Sequence, residues 1–270
     1  MAAEGFGTGK GALYDRARPS YSTDALQAMR DRVRGTGPLN ILEVGAGTGI
    51  FTRALLAHPA WKDSVGALRA VEPSDDFRSV LESSTAGTDP RVKASKGTFD
   101  ATGVPDGWAD LIVVAQAWHW CPDHEKAIAE FTRALKPDGV AFLIWNLEDR
   151  EAASWVARLR DTIEPYEEGS PQFRLGLWRA TFSVPSYQKH FDKEEELTFS
   201  RNIPATKESV IERATSKSYI AVLPEETKNS VVETVIKILE QEPKTWIEEA
   251  QGVFNYPYKT TLVVSQKKQA

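Results

Sequence analysis

The chain has 270 residues, 41% of them hydrophobic, which suits one large domain or a core with a small appendage. Its net charge of −5, with no basic block beyond the Lys267-Lys268 pair, disfavours a nucleic-acid partner. Cys121 is the one cysteine, so no intrachain disulfide can form and a reducing, cytoplasmic setting is expected; no apolar run reaches membrane-spanning length, and residues 1–11 lack the apolar stretch of a secretory signal.

Residues 1–20 show no periodicity and read as a mobile lead segment. Ser22 or Thr23 can cap a helix running to about Arg34, with Leu26, Met29 and Val33 on one face. Leu39–Val44 reads as the first strand and Ile50–Ala57 as the helix after it. A second strand ends at Glu72, and Ser74 caps a helix with Asp75 and Asp76 in its first turn. Val92–Ser95 is a short third strand. Asp110–Ala115 is apolar after its leading acid, the pattern of a strand buried on both faces. A helix from Asp123 to Leu135 ends at Lys136-Pro137-Asp138-Gly139, and Val140–Trp145 is the fifth strand. Strand and helix alternate to this point, which means a doubly wound α/β sheet. Beyond it come a helix over Glu151–Pro165, an irregular aromatic stretch over 166–193, a strand over Glu195–Arg201, a helix over Pro224–Gln241 and a final β-rich run, Tyr258–Ser265.

The most informative segment joins the first strand to its helix: Glu43-Val44-Gly45-Ala46-Gly47-Thr48-Gly49. Glycine is needed where a backbone must pass close to a ligand at dihedrals that side chains forbid, and the following helix N-terminus offers free N–H groups. A dinucleotide turn reads G-x-G-x-x-G. Begun at Gly45 its third glycine falls on Thr48, and begun at Gly47 it falls on Thr52, so neither register fits. Glu72 ends the second strand, farther along than the ~20 residues typical of a ribose-binding acid. The polar insert His58–Ser64 accounts for the excess.

Motif Glu43–Gly49, the acid Glu72 and the run Ala134–Val140 together resemble the class I S-adenosylmethionine (SAM) dependent methyltransferases. Within them the chain looks like the small-molecule branch that includes ubiquinone/menaquinone C-methyltransferases and trans-aconitate methyltransferase. The resemblance is good over residues 10–147 and weaker to the end. It implies an α/β fold with a doubly wound, seven-stranded, mostly parallel sheet of order 3-2-1-4-5-7-6, Rossmann-like, with a helical and aromatic cap inserted after strand five. Residues 1–21 would cover the cofactor, 22–147 would form the SAM-binding core, 148–257 the substrate cap with strand six, and 258–270 the last, antiparallel strand and tail. The resemblance also assigns cofactor roles. Gly45, Gly47 and Gly49 would form the turn under the methionine part, Glu43 would orient that turn and the SAM ammonium, and Glu72 would hold the ribose. Thr98 and Phe99 would contact adenine, Gln116 would meet the SAM ammonium, and Arg18, with Tyr14 beside it, would meet the carboxylate.

Strand four ends in Gln116-Ala117-Trp118-His119-Trp120, where open α/β sheets hold their ligands. His119 could be the general base, a positioning donor or a structural histidine. Trp118 and Trp120 could wall the acceptor or belong to the core. Tyr21, Asn146 and Tyr219 are further substrate-side candidates. His119, Cys121 and His124 supply three ligands at most within one turn, so no metal is expected. The [DN]-P-P-[YFW] motif of adenine-N6 and glutamine methyltransferases is absent after strand four, and Gln116 stands where aminopropyl transferases carry aspartate. The expected partner is therefore a small molecule enclosed by residues 147–256, with oligomeric state open. The expected reaction is methyl transfer to O, N or C. The alternative is a rearrangement or cyclisation on the same fold.

Overall fold

In this computed structural model, which describes residues 11–269, the strands are β1 (Leu39–Val44), β2 (Val65–Val71), β3 (Val92–Ser95), β4 (Ala109–Ala115), β5 (Leu135–Glu148), β6 (Glu195–Ala205), β7 (Trp246–Glu248) and β8 (Val253–Gln266). They form one eight-stranded sheet of order β3-β2-β1-β4-β5-β8-β6, with the three-residue β7 beside β8. The first five pair in parallel. β8 runs against β5: Lys267 N donates to Gly139 O at 3.0 Å and Asp149 N to Pro257 O at 2.9 Å, so one partner number rises as the other falls. The expected seven-strand order is therefore the observed path, and β7 adds a short eighth strand at its side.

The chain divides into two compact units. Among the described residues, the sheet unit takes 20–145, 171–199 and 261–269; the second unit takes 11–19, 146–170 and 200–260. In the sheet unit, Ile41, Leu111 and Val113 belong to one apolar cluster, and Leu42, Ile112 and Val114 to another. Alternate residues point to opposite faces of a strand, so the sheet carries a core on each side. α2 (Thr23–Asp31) and α3 (Ile50–Ala57) feed the first cluster through Leu26, Met29, Phe51 and Leu55, and α4 (Asp75–Ser83) adds Leu81. α5 (His124–Ala134) feeds the second through Ile128 and Phe131. Two of these helices carry the caps their sequences advertise: Ser74 accepts from Phe77 N, and Asp123 from Lys126 N.

The second unit holds α1 (Gly11–Ala17), α6 (Ser154–Ile163), α8 (Lys207–Thr215), α9 (Ser218–Ala221) and α10 (Glu225–Gln241). Its own core gathers Trp155, Leu159, Val210, Ile220, Val235, Phe254 and Tyr256. The short helix α7 (Pro185–His190) belongs to the sheet unit.

Several expectations need correction. Residues 11–17 are helical and not aperiodic, while residues 1–10 lie outside the described part. Ser22 occupies the N-cap of α2 without a side-chain bond, and that helix stops at Asp31, short of Arg34. β5 begins at Leu135, taking in the Lys136–Gly139 stretch expected to end the helix ahead of a strand from Val140. Pairing decides this: Gly139 O accepts from Lys267 N, and Gln266 Nε2 donates to Asp138 O at 3.1 Å. The aromatic stretch is ordered as 3₁₀ turns over Phe173–Leu175 and Leu177–Ser183, then α7, and it buries Trp178, Tyr187 and Phe191 against the sheet's second cluster.

Candidate active site

The glycine turn at the end of β1 is left-handed at each glycine, with φ of 73°, 56° and 83° at Gly45, Gly47 and Gly49. A Cβ added to Gly45 would stand 2.6 Å from the Ala117 Cβ. Conformation and space thus both demand glycine there. The amides of Gly45 and Ala46 donate to Val71 O at 2.8 and 3.1 Å, which ties the turn to the end of β2. Gly49 occupies the N-cap of α3 with no capping side chain, so that helix starts on bare amides.

Glu72 lies just past β2 and is buried. Its Oε2 accepts from Gly47 N and its Oε1 from Ser74 N, each at 2.8 Å. Burial pushes this carboxyl above its ordinary value, and the two amides pull against that. Each oxygen retains acceptor capacity for a ligand hydroxyl. Glu43 is more deeply enclosed, at 0% exposure. Its Oε2 accepts from Thr52 Oγ1 at 2.6 Å, and its Oε1 has no hydrogen-bond partner. Burial pushes this carboxyl up to about 8.

Around the turn, Phe99 meets Trp118 edge-on with centroids 5.4 Å apart, and Thr98 donates to Asp100 Oδ1 at 2.7 Å. Gln116, immediately past β4, holds φ at 56°, an uncommon value outside glycine, while its amide donates to Ile144 O at 2.8 Å. Trp118 is fully buried; its indole N–H donates to Thr181 Oγ1 at 2.8 Å and its ring stacks on His124. His119 and Trp120 are partly exposed, their rings 5.4 Å apart. His119 Nδ1 accepts from the indole N–H of Trp145 at 3.2 Å. Tyr21 is buried edge-on against Phe51.

The structure therefore gathers Glu43, Gly45, Gly47, Gly49, Glu72, Thr98, Phe99, Gln116, Trp118, His119, Trp120 and Tyr21 in the sheet unit. It puts Tyr14, Arg18, Asn146 and Tyr219 in the second unit. There Arg18 lies over the Tyr14 ring at 4.6 Å, Asn146 Oδ1 accepts from Thr260 Oγ1 at 2.7 Å, and Tyr219 is buried. The sequence reading missed Trp145 as the partner of His119. The signal lay in sheet register, since Ala115, the last residue of β4, pairs with Ile144 and so sets Trp145 just past the end of β4.

A doubly wound sheet with left-handed glycines after β1 and a buried acid after β2 defines an α/β fold of the Rossmann-like type. Comparison with known proteins carries this to a family. Residues 42–143 match the methyltransferase domain family. An uncharacterized methyltransferase of Mycobacterium bovis is 30% identical over 239 residues, covering 88% of this chain and 86% of that protein. An uncharacterized methyltransferase-like protein of Schizosaccharomyces pombe is 31% identical over 221 residues, 82% of this chain and 80% of its own. The solved structure of a putative type II methyltransferase from Anaeromyxobacter dehalogenans shares the fold, with a TM-score of 0.61 at 18% identity over 93% of this chain and 97% of that one. The chain belongs to the class I SAM-dependent methyltransferases, whose cofactor is S-adenosyl-L-methionine. Among the described residues no helix is long and apolar enough to cross a membrane.

Proposed function

We propose that this methyltransferase acts on a small, partly apolar metabolite in the cytoplasm, with SAM held on the glycine turn and Glu72. When bound, SAM supplies an electrophilic methyl group on a sulfonium, and an in-line displacement moves that group to the acceptor. The observation that carries the reading is Glu72: a buried carboxylate fixed by the amides of Gly47 and Ser74, beside three left-handed glycines. Such a carboxylate is pre-oriented to accept from paired hydroxyls, as a ribose presents them. Glu43 would act from beneath the turn, through Thr52, and not as a charged contact. Phe99 would offer its face to the adenine, with Thr98 beside it, and Gln116 its carboxamide to the ammonium. Arg18, with Tyr14, is the candidate for the cofactor carboxylate or for another acid.

His119 is best read as a donor. An indole N–H can only donate, so the bond from Trp145 requires an unprotonated Nδ1 and puts the proton of the neutral ring on Nε2. That ring would orient the acceptor, and Trp120 beside it could wall an apolar portion. Trp118, buried with its N–H on Thr181, supports the wall from behind. Tyr21, Asn146 and Tyr219 remain substrate-side candidates. The acidic net charge supports a metabolite over a nucleic acid.

The test is calorimetry with S-adenosylhomocysteine on Glu72→Ala and Glu72→Gln. Loss of two charge-assisted hydrogen bonds, partly replaced by water, should cost about 2–3 kcal/mol, or roughly 30- to 150-fold in Kd. An unchanged Kd in folded variants would place the ribose elsewhere.

A further inference from the structure

A partly exposed imidazole on a single 3₁₀ turn, as His119 is, can rotate its ring and move its proton between two nitrogens. A ring that orients a reactant needs both freedoms removed, and packing of its hydrogen-bond partner is how that is done. In the sheet unit the restraint comes from a segment some fifty residues away in sequence.

Trp145 is fully buried on β5, and its indole N–H is the group bonded to His119 Nδ1. Its ring packs on Phe173, centroids 4.7 Å apart, and on Trp178 at 4.5 Å. Phe173 and Trp178 stack on each other at 5.7 Å. Trp178 is pinned in turn. Its N–H donates to Phe173 O at 3.0 Å, and Arg179 lies over its ring at 4.5 Å while pairing with Glu196 at 2.8 Å. The indole of Trp145 therefore cannot turn without moving two other rings, which fixes the direction of its N–H. The same segment also holds Trp118. Thr181 Oγ1 accepts from the Trp118 N–H at 2.8 Å and donates to Trp178 O at 2.7 Å. Residues 173–182 thus fix His119 twice, through the residue before it in the chain and through the residue bonded to its ring.

We propose that Trp145 is a positioning residue for His119, and that the segment over residues 173–182 is the clamp that aims its N–H. The proposal rests on the reading of His119 as the group that orients the acceptor and says what keeps that ring in place. An indole proton held on Nδ1 opposes protonation there, so the neutral ring with its proton on Nε2 should persist to lower pH than without it. The titratable groups on the packed elements leave that effect to Trp145. In the turn and at the start of α5, burial pushes the Cys121 thiol up to about 12 and lowers His124, so both are neutral near pH 7. Asp123 pairs with Lys126 at 3.0 Å, Glu125 accepts from Ser186 Oγ at 2.6 Å, and Asp100, ahead of β4, accepts from Thr98. On the segment itself, Arg174 is exposed and Arg179 is held by Glu196.

The experiment is nitrogen-15 NMR of the full chain, labelled in its histidine rings and tryptophan indoles, titrated from about pH 8.5 to about pH 5.5 across the ordinary histidine range. His119→Gln identifies the His119 signals. Trp145→Phe keeps a ring against Phe173 and Trp178 and removes the N–H. Phe173→Leu, at a partly exposed position, keeps the N–H and loosens the clamp. In wild type the expected result is a proton on Nε2, an unprotonated Nδ1, and a coupling across the hydrogen bond between Trp145 Nε1 and His119 Nδ1. In Trp145→Phe the second ring proton should arrive about 0.5–1 pH unit higher, with both tautomers populated before it does. Phe173→Leu should move the midpoint about half as far. S-adenosylhomocysteine, titrated by calorimetry on the same samples, should bind each variant within about twofold of wild type. A wild-type proton on Nδ1, or no coupling to Trp145, overturns the proposal even if Trp145→Phe fails to fold. An unmoved midpoint in folded Trp145→Phe overturns it too, and an unmoved midpoint in folded Phe173→Leu removes the clamp. If wild type binds S-adenosylhomocysteine and the spectra fail, the proposal falls alone. If it does not bind, the methyltransferase reading fails and takes the proposal with it.

Discussion

At the scale of the residue, the geometry speaks most directly to His119. Its Nδ1 is the acceptor of the Trp145 indole proton, so the ring's chemistry in its neutral form is that of a donor at Nε2. His119→Asn keeps an N–H and should retain a rate within a few-fold of wild type. His119→Ala should fall about 10- to 100-fold in kcat, with SAM affinity little changed. Steady-state kinetics on an identified acceptor checks this; Asn as slow as Ala, both down by about 10³-fold, would restore the general-base role. The neighbouring tryptophans show why residue roles were only partly legible. Trp118, His119 and Trp120 are consecutive, yet one 3₁₀ turn buries Trp118 completely and leaves the other two partly exposed. Spacing alone does not separate them. Arg213 and Lys217 drew no notice because their partner, Glu148, lies far away in sequence.

At the scale of the element, the β1–turn–α3 unit was readable because every part of it is local. The strand limits, the helix limits and the glycines fall where the sequence puts them. What locality hides is how the parts lock: Glu43, on β1, accepts from Thr52 on α3, in an environment that raises its carboxyl to about 8 from an ordinary 4.5. A pKa raised on folding gives stability that is fully present below the unfolded value and is lost as pH rises through the folded one. Stability should therefore decline from about pH 5 to pH 8.5, by on the order of a few kcal/mol from this group. Glu43→Gln keeps an acceptor for Thr52 and cannot ionise, so denaturant melts across that range should show a flatter profile. An unchanged slope in the variant would mean that Glu43 is already charged. Element ends were less legible wherever a distant strand sets them. Lys136-Pro137-Asp138-Gly139 has turn composition, and it is strand because β8 pairs with it.

At the scale of the whole molecule, the alternation of strand and helix up to Trp145 was enough for the doubly wound class, whereas the strand order was legible only through the family resemblance. Past Trp145 the division into units does not follow chain order: residues 171–199 pack with the sheet unit, and residues 146–170 and 200–260 form the other. Such interleaving has no local signature; it follows from aromatic packing such as Trp145 on Trp178, centroids 4.5 Å apart, within the sheet unit. The central claim, that this fold binds SAM through its glycine turn, is tested most directly by thermal unfolding with SAM, S-adenosylhomocysteine and NAD in parallel. A ligand bound only by the folded state stabilises by about 2.7 kcal/mol at a hundredfold excess over Kd, so the two sulfur nucleosides should each raise Tm by several degrees, with NAD inert. A clear rise with NAD, and none with SAM or S-adenosylhomocysteine at millimolar concentration, would contradict the account.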